Sequence, residues 1–173
     1  MTESVAFGSV PSEVGDILVA VTEQGVAATT FRNTAGARRW MTDRLGLPVV
    51  DDRERCAAVL AELAGYFAGS LREFAVDVDF RLMSTAQRQV LGTLYRTVHY
   101  GQVVTYGELA RLSGTGIPAR GIGAIMGSNP IPIIVPCHRV VAGDGLGGFS
   151  AGEGVESKRR LLTLEGHLPP TLF

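Results

Sequence analysis

Residues 129–141 read Asn-Pro-Ile-Pro-Ile-Ile-Val-Pro-Cys-His-Arg-Val-Val, and they bring a thiol, an imidazole and a guanidinium together at the end of an apolar run. Pro130, Pro132 and Pro136 forbid a helix there and make a poor central strand, so the segment is a stiff, irregular arm that delivers Cys137. A stiff approach holds a reactive group in one place. A lone cysteine in an apolar stretch is most often a buried, inert thiol. Against that stand His138 and Arg139, because neighbouring cations lower a thiol's pKa and favour the nucleophilic thiolate. The chemistry on offer is attack by sulfur.

A thiol needs a base before it attacks. His138 is adjacent to Cys137, and side chains next to one another on an extended chain point apart. A bridging water resolves that geometry, and the imidazole then needs an orienting partner on its other nitrogen. The same adjacency argues against a cysteine protease, in which the histidine faces the thiol. It also argues against a metal: Cys137-His138 is the one close Cys/His pair, whereas a structural zinc site takes about four ligands. The other cysteine, Cys56, lies near the start of an amphipathic segment and reads as a small core residue.

The arm follows a pair of short helices. Tyr106–Leu112 reads as a helix, Ser113-Gly114-Thr115-Gly116 as a turn, and 118–126 as a second helix with proline at its first turn. That is the helix-turn-helix pattern. On the second helix Ala119, Arg120, Gly123, Ala124 and Gly127 share one arc, with Ile122, Ile125 and Met126 opposite. A face of small residues is poor for helix propensity but lets another surface approach the backbone closely. Arg120 within it favours a phosphate or base partner over a neighbouring helix.

The Pro-Cys-His-Arg-Val segment with its upstream Asn-Pro resembles the signature of the O6-alkylguanine-DNA alkyltransferases. The flanks Gly101-Gln-Val-Val-Thr-Tyr106-Gly-Glu-Leu-Ala110, Gly147-Gly-Phe-Ser150 and Lys158-Arg-Arg-Leu-Leu-Thr-Leu-Glu165-Gly also match, so the resemblance covers residues 85–166 in order. It implies that Cys137 accepts an alkyl group irreversibly, one per protein molecule, with no cofactor. It further implies that His138 relays the thiol proton through a water to Glu165, that Tyr106 donates to the departing guanine, and that Asn129 holds the active-site loops. Pro132, Val140, Phe149 and Ser150 would form the base pocket. Ala119, Arg120, Gly123 and Ala124 would enter the minor groove of double-stranded DNA carrying O6-alkylguanine, with Arg120 filling the gap left by a flipped nucleotide. The chain departs from the family pattern at Ala86, Leu91, His99 and Phe149. The rival from another class is a helix-turn-helix DNA-binding protein without catalysis.

Two further patterns are weaker. Gly148-Phe-Ser-Ala-Gly152 matches a hydrolase nucleophile elbow, but too little chain follows it for the sheet that such a site requires. Gly143-Asp-Gly-Leu-Gly-Gly148 matches a dinucleotide fingerprint but has no βαβ unit after it, and reads as a glycine-rich hairpin.

The rest of the 173-residue chain must position these groups. Residues 16–22 and 25–31 read as strands around a turn at 23–25, and 34–45, 54–69 and 85–98 read as helices. The expected fold is α/β (α+β): a small strand-and-helix domain over residues 1–83 and a mainly helical, winged-helix-like domain over 84–173. Residues 1–83 hold eight Arg and twelve Asp/Glu, and residues 84–173 hold eight Lys/Arg and five Asp/Glu, so a net of −4 faces a net of +3. A polyanion would bind the second half. No apolar run approaches the ~20 residues of a membrane span, and no basic-then-apolar leader opens the chain, so a monomeric cytoplasmic protein is expected.

Overall fold

The computed structural model describes residues 2–168, and residues 169–173 of the expected C-terminal domain lie outside the described residues. The chain divides into two compact units, Met1–Leu82 and Met83–Phe173.

The first unit holds strands β1 (Val5–Ser12), β2 (Gly15–Thr22) and β3 (Gly25–Thr30), helix α1 (Ala35–Leu45), strand β4 (Val49–Val50) and helix α2 (Arg53–Phe67). The sheet order is β3-β2-β1-β4, antiparallel except for the β1–β4 pair. Strand β2 is central and covered on both faces. Leu18 and Ala20 pack with Met41 and Leu45 of α1, whereas α2 lies on the face of Gly8, where a Cβ would meet Leu60 and Cys56. Cys56 is buried and structural in this packing. Strand β1 does not stand out in the sequence, because Gly8, Ser9, Pro11 and Ser12 break its pattern. Beyond Ala6, among the described residues, no strand pairs with its outer side, and proline is tolerated on an open edge.

The second unit holds helix α3 (Thr85–Thr97), strand β5 (Val104–Thr105), helices α4 (Tyr106–Ser113) and α5 (Ala119–Gly127), a 3-10 turn at Cys137–Arg139, strand β6 (Val140–Val141) and helix α6 (Val155–Leu164). Capping boxes start α3 (Ser84 with Gln87) and α4 (Thr105 with Glu108). Gly114 ends α4 in the left-handed conformation at φ 65°, and the chain turns into α5, with Pro118 as its N-cap rather than its first residue. The helix-turn-helix read from the sequence is therefore present. The segment 142–148 bends through a single antiparallel bridge between Ala142 and Gly145. Among the described residues, no helix is long and apolar enough to cross a membrane.

Candidate active site

Short parallel pairing of β5 with β6 sets the frame. Val104 pairs with Val140 and Thr105 with Val141, so the first residue of α4, Tyr106, and the turn that carries Cys137 open onto one cavity. The arm before Cys137 folds back on itself. Val135 N–H donates to the Ile131 carbonyl at 2.9 Å, and Ile133 takes a φ of 78°. A β-branched residue in that region is strained, at roughly 1–3 kcal/mol. Asn129 spans the strained turn: its Oδ1 accepts from Ile131 N–H at 3.0 Å and its Nδ2 donates to the Val135 carbonyl at 2.9 Å. The same side chain favours negative charge on the Cys137 sulfur. One amide thus braces the turn that delivers the thiol.

Cys137, His138 and Arg139 form a single 3-10 turn, in which successive side chains diverge by about 120°. The thiol faces the cavity. The next two side chains reach Glu165, the residue that caps the end of α6. His138 Nε2 lies 2.7 Å from Glu165 Oε2, while Arg139 Nε and Nη2 donate to Oε1 and Oε2 at 2.8 and 3.1 Å. Arg139 Nη1 also donates to the Val98 carbonyl at 2.9 Å. Histidine and glutamate side chains are fully buried. His138 Nδ1 is buried as well and has no hydrogen-bond partner among the described residues.

The expectation that His138 and Arg139 set positive charge beside the thiol is corrected here, since both are committed to Glu165. The cation that acts on Cys137 is Lys158 of α6. It is fully buried, donates to the carbonyls of Val140 (2.6 Å) and Gly148 (3.1 Å), and stands 5.8 Å from the centroid of the Tyr106 ring. The sequence reading passed over Lys158, although a signal was there: it is the chain's only lysine, so a point charge is kept where every other basic position except the histidines is arginine.

Burial dominates the electrostatics. It pushes the Cys137 thiol above its ordinary value, against the Asn129 amide and the Lys158 charge, so the resting group is a protonated thiol that needs a base. Burial pulls Lys158 down to about 8. It also lowers His138, with Glu165 opposing and Arg139 and Lys158 adding to the fall, so the imidazole is neutral at pH 7. For Glu165, burial is outweighed by His138 and Arg139, and the carboxyl is held at about 2. Tyr106 is raised by burial and by the negative charge of Cys137 as thiolate, which leaves a phenol able to donate.

The cavity is about 360 Å³, lined by Tyr106, Cys137, Phe149, Ser150, Met126 and the bare backbone of Gly123, Gly127 and Gly148. Such a volume suits a small flat ligand. Of the four expected pocket residues, Phe149 and Ser150 line it. Pro132 lies in the buried turn behind the thiol, and Val140 is buried in β6 with its carbonyl on Lys158; neither lines the cavity. Met126, Gly127 and Gly148 were not singled out as pocket residues. Ser150 Oγ donates to the Gly127 carbonyl at 3.0 Å rather than to a histidine, which removes the hydrolase reading. On α5, Ala119, Arg120, Ala124 and Gly127 are exposed and Gly123 half-buried, while Ile122 and Met126 are buried, so the bare face points outward.

Similarity to known proteins follows the same residues. The family model for the DNA-binding domain of 6-O-methylguanine DNA methyltransferase matches residues 85–167. A methylated-DNA–protein-cysteine methyltransferase of Methanopyrus kandleri is 45% identical over 125 residues, 72% of this chain and 91% of that one. The O6-methylguanine methyltransferase structure of Mycobacterium tuberculosis superposes with a TM-score of 0.75 at 31% identity, covering 98% of this chain and 97% of that one. The OGT of the same organism in complex with DNA gives 0.75 at 32% identity, covering 94% and 93%. A buried thiol at a cavity floor, an adjacent histidine held by a glutamate, and relatives matched across most of both chains give one answer: the chain belongs to the methylated-DNA–protein-cysteine methyltransferase family.

Proposed function

We propose that this protein repairs O6-alkylguanine in DNA by moving the alkyl group to Cys137 Sγ, once per molecule. The observation that carries the reading is the pairing of a cavity-facing thiol with an imidazole whose Nε2 is fixed on Glu165 and whose Nδ1 is buried without a hydrogen-bond partner among the described residues. A water between Sγ and Nδ1 passes the thiol proton to His138. The thiolate attacks the alkyl carbon, the S–C bond forms as the C–O6 bond breaks, and Tyr106 supplies the proton that the departing guanine takes up. The proton held by His138 then returns through solvent to the Tyr106 phenolate, so the net change is thiol plus alkylguanine to thioether plus guanine. Water does not cleave a thioether, so the protein is spent.

The target carbon is buried in a base stack, so the nucleotide must be turned out into the cavity. The unit from residue 84 onward is the DNA-binding and alkyl-acceptor domain in this reading. The outward bare face of α5 fits a minor groove, with Ala119, Gly123 and Ala124 allowing close approach and Arg120 entering the vacated stack. The Mycobacterium tuberculosis relative in complex with DNA supports DNA as the partner. The protein works as a cytoplasmic monomer.

Intact-mass measurement after mixing with duplex DNA containing O6-methylguanine tests the reading. One methyl on Cys137, with yield capped at one per protein, is expected. Label on Cys56, repeated turnover, or DNA binding with no mass change would overturn it, and the last outcome favours a non-catalytic DNA-binding protein.

A further inference from the structure

A buried histidine beside a lone carboxylate ordinarily becomes a charged pair, because the carboxylate draws a proton onto the ring. An imidazolium at His138 would be useless as the base for Cys137, since both its nitrogens would already carry protons. The arrangement around Glu165 prevents this. Arg139 meets the carboxylate through Nε and Nη2 in a two-pronged contact at 2.8 and 3.1 Å, and its Nη1 is anchored on the Val98 carbonyl at 2.9 Å. Its guanidinium also stands 6.0 Å from the centroid of the Tyr100 ring, and Tyr100 Oη donates to the Leu164 carbonyl at the end of α6. The negative charge of Glu165 is thus balanced before the imidazole is considered. Oε2 still has a lone pair for a neutral Nε2–H, and that bond at 2.7 Å leaves the ring's electron pair on Nδ1, the atom without a hydrogen-bond partner among the described residues.

We propose that Arg139 is a positioning residue which neutralises Glu165 and so keeps His138 uncharged, with its free electron pair on Nδ1. The inference rests on the reading of Cys137 as the alkyl acceptor. Every charged group that acts on His138 is consistent with it. Arg139, on the same turn, and Lys158, on α6, disfavour the imidazolium, and only Glu165 favours it, with the neutral thiol of Cys137 adjacent. Removing the guanidinium leaves Glu165 as the nearest charge, and the ring gains a proton at higher pH. Arg139 does not line the cavity, and its side chain is bonded to Glu165 and the Val98 carbonyl, so its contribution to the chemistry runs through Glu165 to His138.

The test uses unreacted protein labelled with 15N-histidine. The chain has three histidines, and His138 is assigned by its loss in His138→Ala. In the native protein His138 should carry its proton on Nε2 and titrate below 6.5. In Arg139→Gln its titration should move up by about one to three pH units. The acid limb of the methyl-transfer rate should move with it, so that the loss is large at pH 6 and shrinks by pH 9. Arg139→Lys, which keeps the charge, should leave the titration near its native position. A native His138 protonated on Nδ1, or titrating above 6.5, overturns the proposal without any variant. So does an Arg139→Gln protein whose His138 titration is unmoved and whose rate falls by one factor at every pH. These ring measurements need no alkyl transfer, so failure of Cys137 to take up methyl is distinguishable from failure of this inference.

Discussion

The Lys158 ammonium stands 5.8 Å from the centroid of the Tyr106 ring while it donates to the carbonyl of Gly148, a residue of the cavity wall. The cation is fully buried, and the negative charge of Cys137 as thiolate stabilises it. A charge kept out of water at that cost stabilises anionic species nearby. Lys158→Met should slow methyl transfer at pH 7 by roughly tenfold or more, each factor of ten being about 1.4 kcal/mol of barrier. Affinity for DNA should barely change, because Lys158 is fully buried. Lys158→Arg should fail as well, since a planar fork does not fit a slot cut for a point charge. Single-turnover rates beside binding isotherms decide this, and equal losses in both measurements would place Lys158 in DNA binding.

Gly147 offers a sharper steric test. Its φ is 75°, and a Cβ built on it would lie 2.8 Å from Tyr106 Oη. Gly147→Ala must therefore either push the phenol aside or shift the loop, and the left-handed conformation adds roughly 1–2 kcal/mol for a residue with a side chain. Methyl transfer should fall while the protein remains folded, and the loss should persist on free O6-benzylguanine, which needs no DNA contact. A variant as fast as the native protein would show that the hydroxyl of Tyr106 is not held in place by the loop.

Arg120 should behave in the opposite way. It is exposed on the outward face of α5 and does not line the cavity. Turning a nucleotide out of the stack costs a few kcal/mol, and a side chain filling the gap recovers part of it. Arg120→Ala should slow repair in duplex DNA by tenfold or more for each ~1.4 kcal/mol lost, while leaving the reaction with free O6-benzylguanine near native. Equal slowing on both substrates would assign Arg120 to the pocket or the fold.

Helices α1 to α5 were legible because capping residues and apolar spacing are local signals, and the outward face of α5 followed from its arc of small residues. The strand β1 was not, because its pairing partners rather than its own composition make it a strand. At the site, Cys137 and His138 were legible from the proline-stiffened arm itself, and Glu165 only through the family pattern. What escaped was direction. No spacing rule shows that a 3-10 turn swings Arg139 away from the thiol onto Glu165, or that Lys158, 21 residues after Cys137, brings its charge back to it. Those relations belong to tertiary packing.

The His138–Glu165 pair yields the most constrained expectation. Glu165 has its folded carboxyl at about 2 against an ordinary value of 4.5, so its contribution to stability is complete above 4.5 and is lost as pH falls toward 2. His138 is also depressed, so below 6.5 the unfolded chain takes up a proton that the folded one refuses, and stability again falls with acid. Native protein should therefore lose stability in two stages on acidification, the first beginning near 6.5 and the second between 4.5 and 2, the latter worth on the order of 3 kcal/mol. Glu165→Gln should flatten the second stage, and His138→Ala should flatten the first. In methyl transfer at pH 7, each variant should be slow with DNA affinity nearly unchanged. The double variant should be little slower than the worse single one, because a base without its orienting carboxylate and a carboxylate without its base remove one and the same function. A double loss equal to the product of two independent factors would show that the two residues act separately, and native rates in both single variants would remove His138 from the path of the thiol proton.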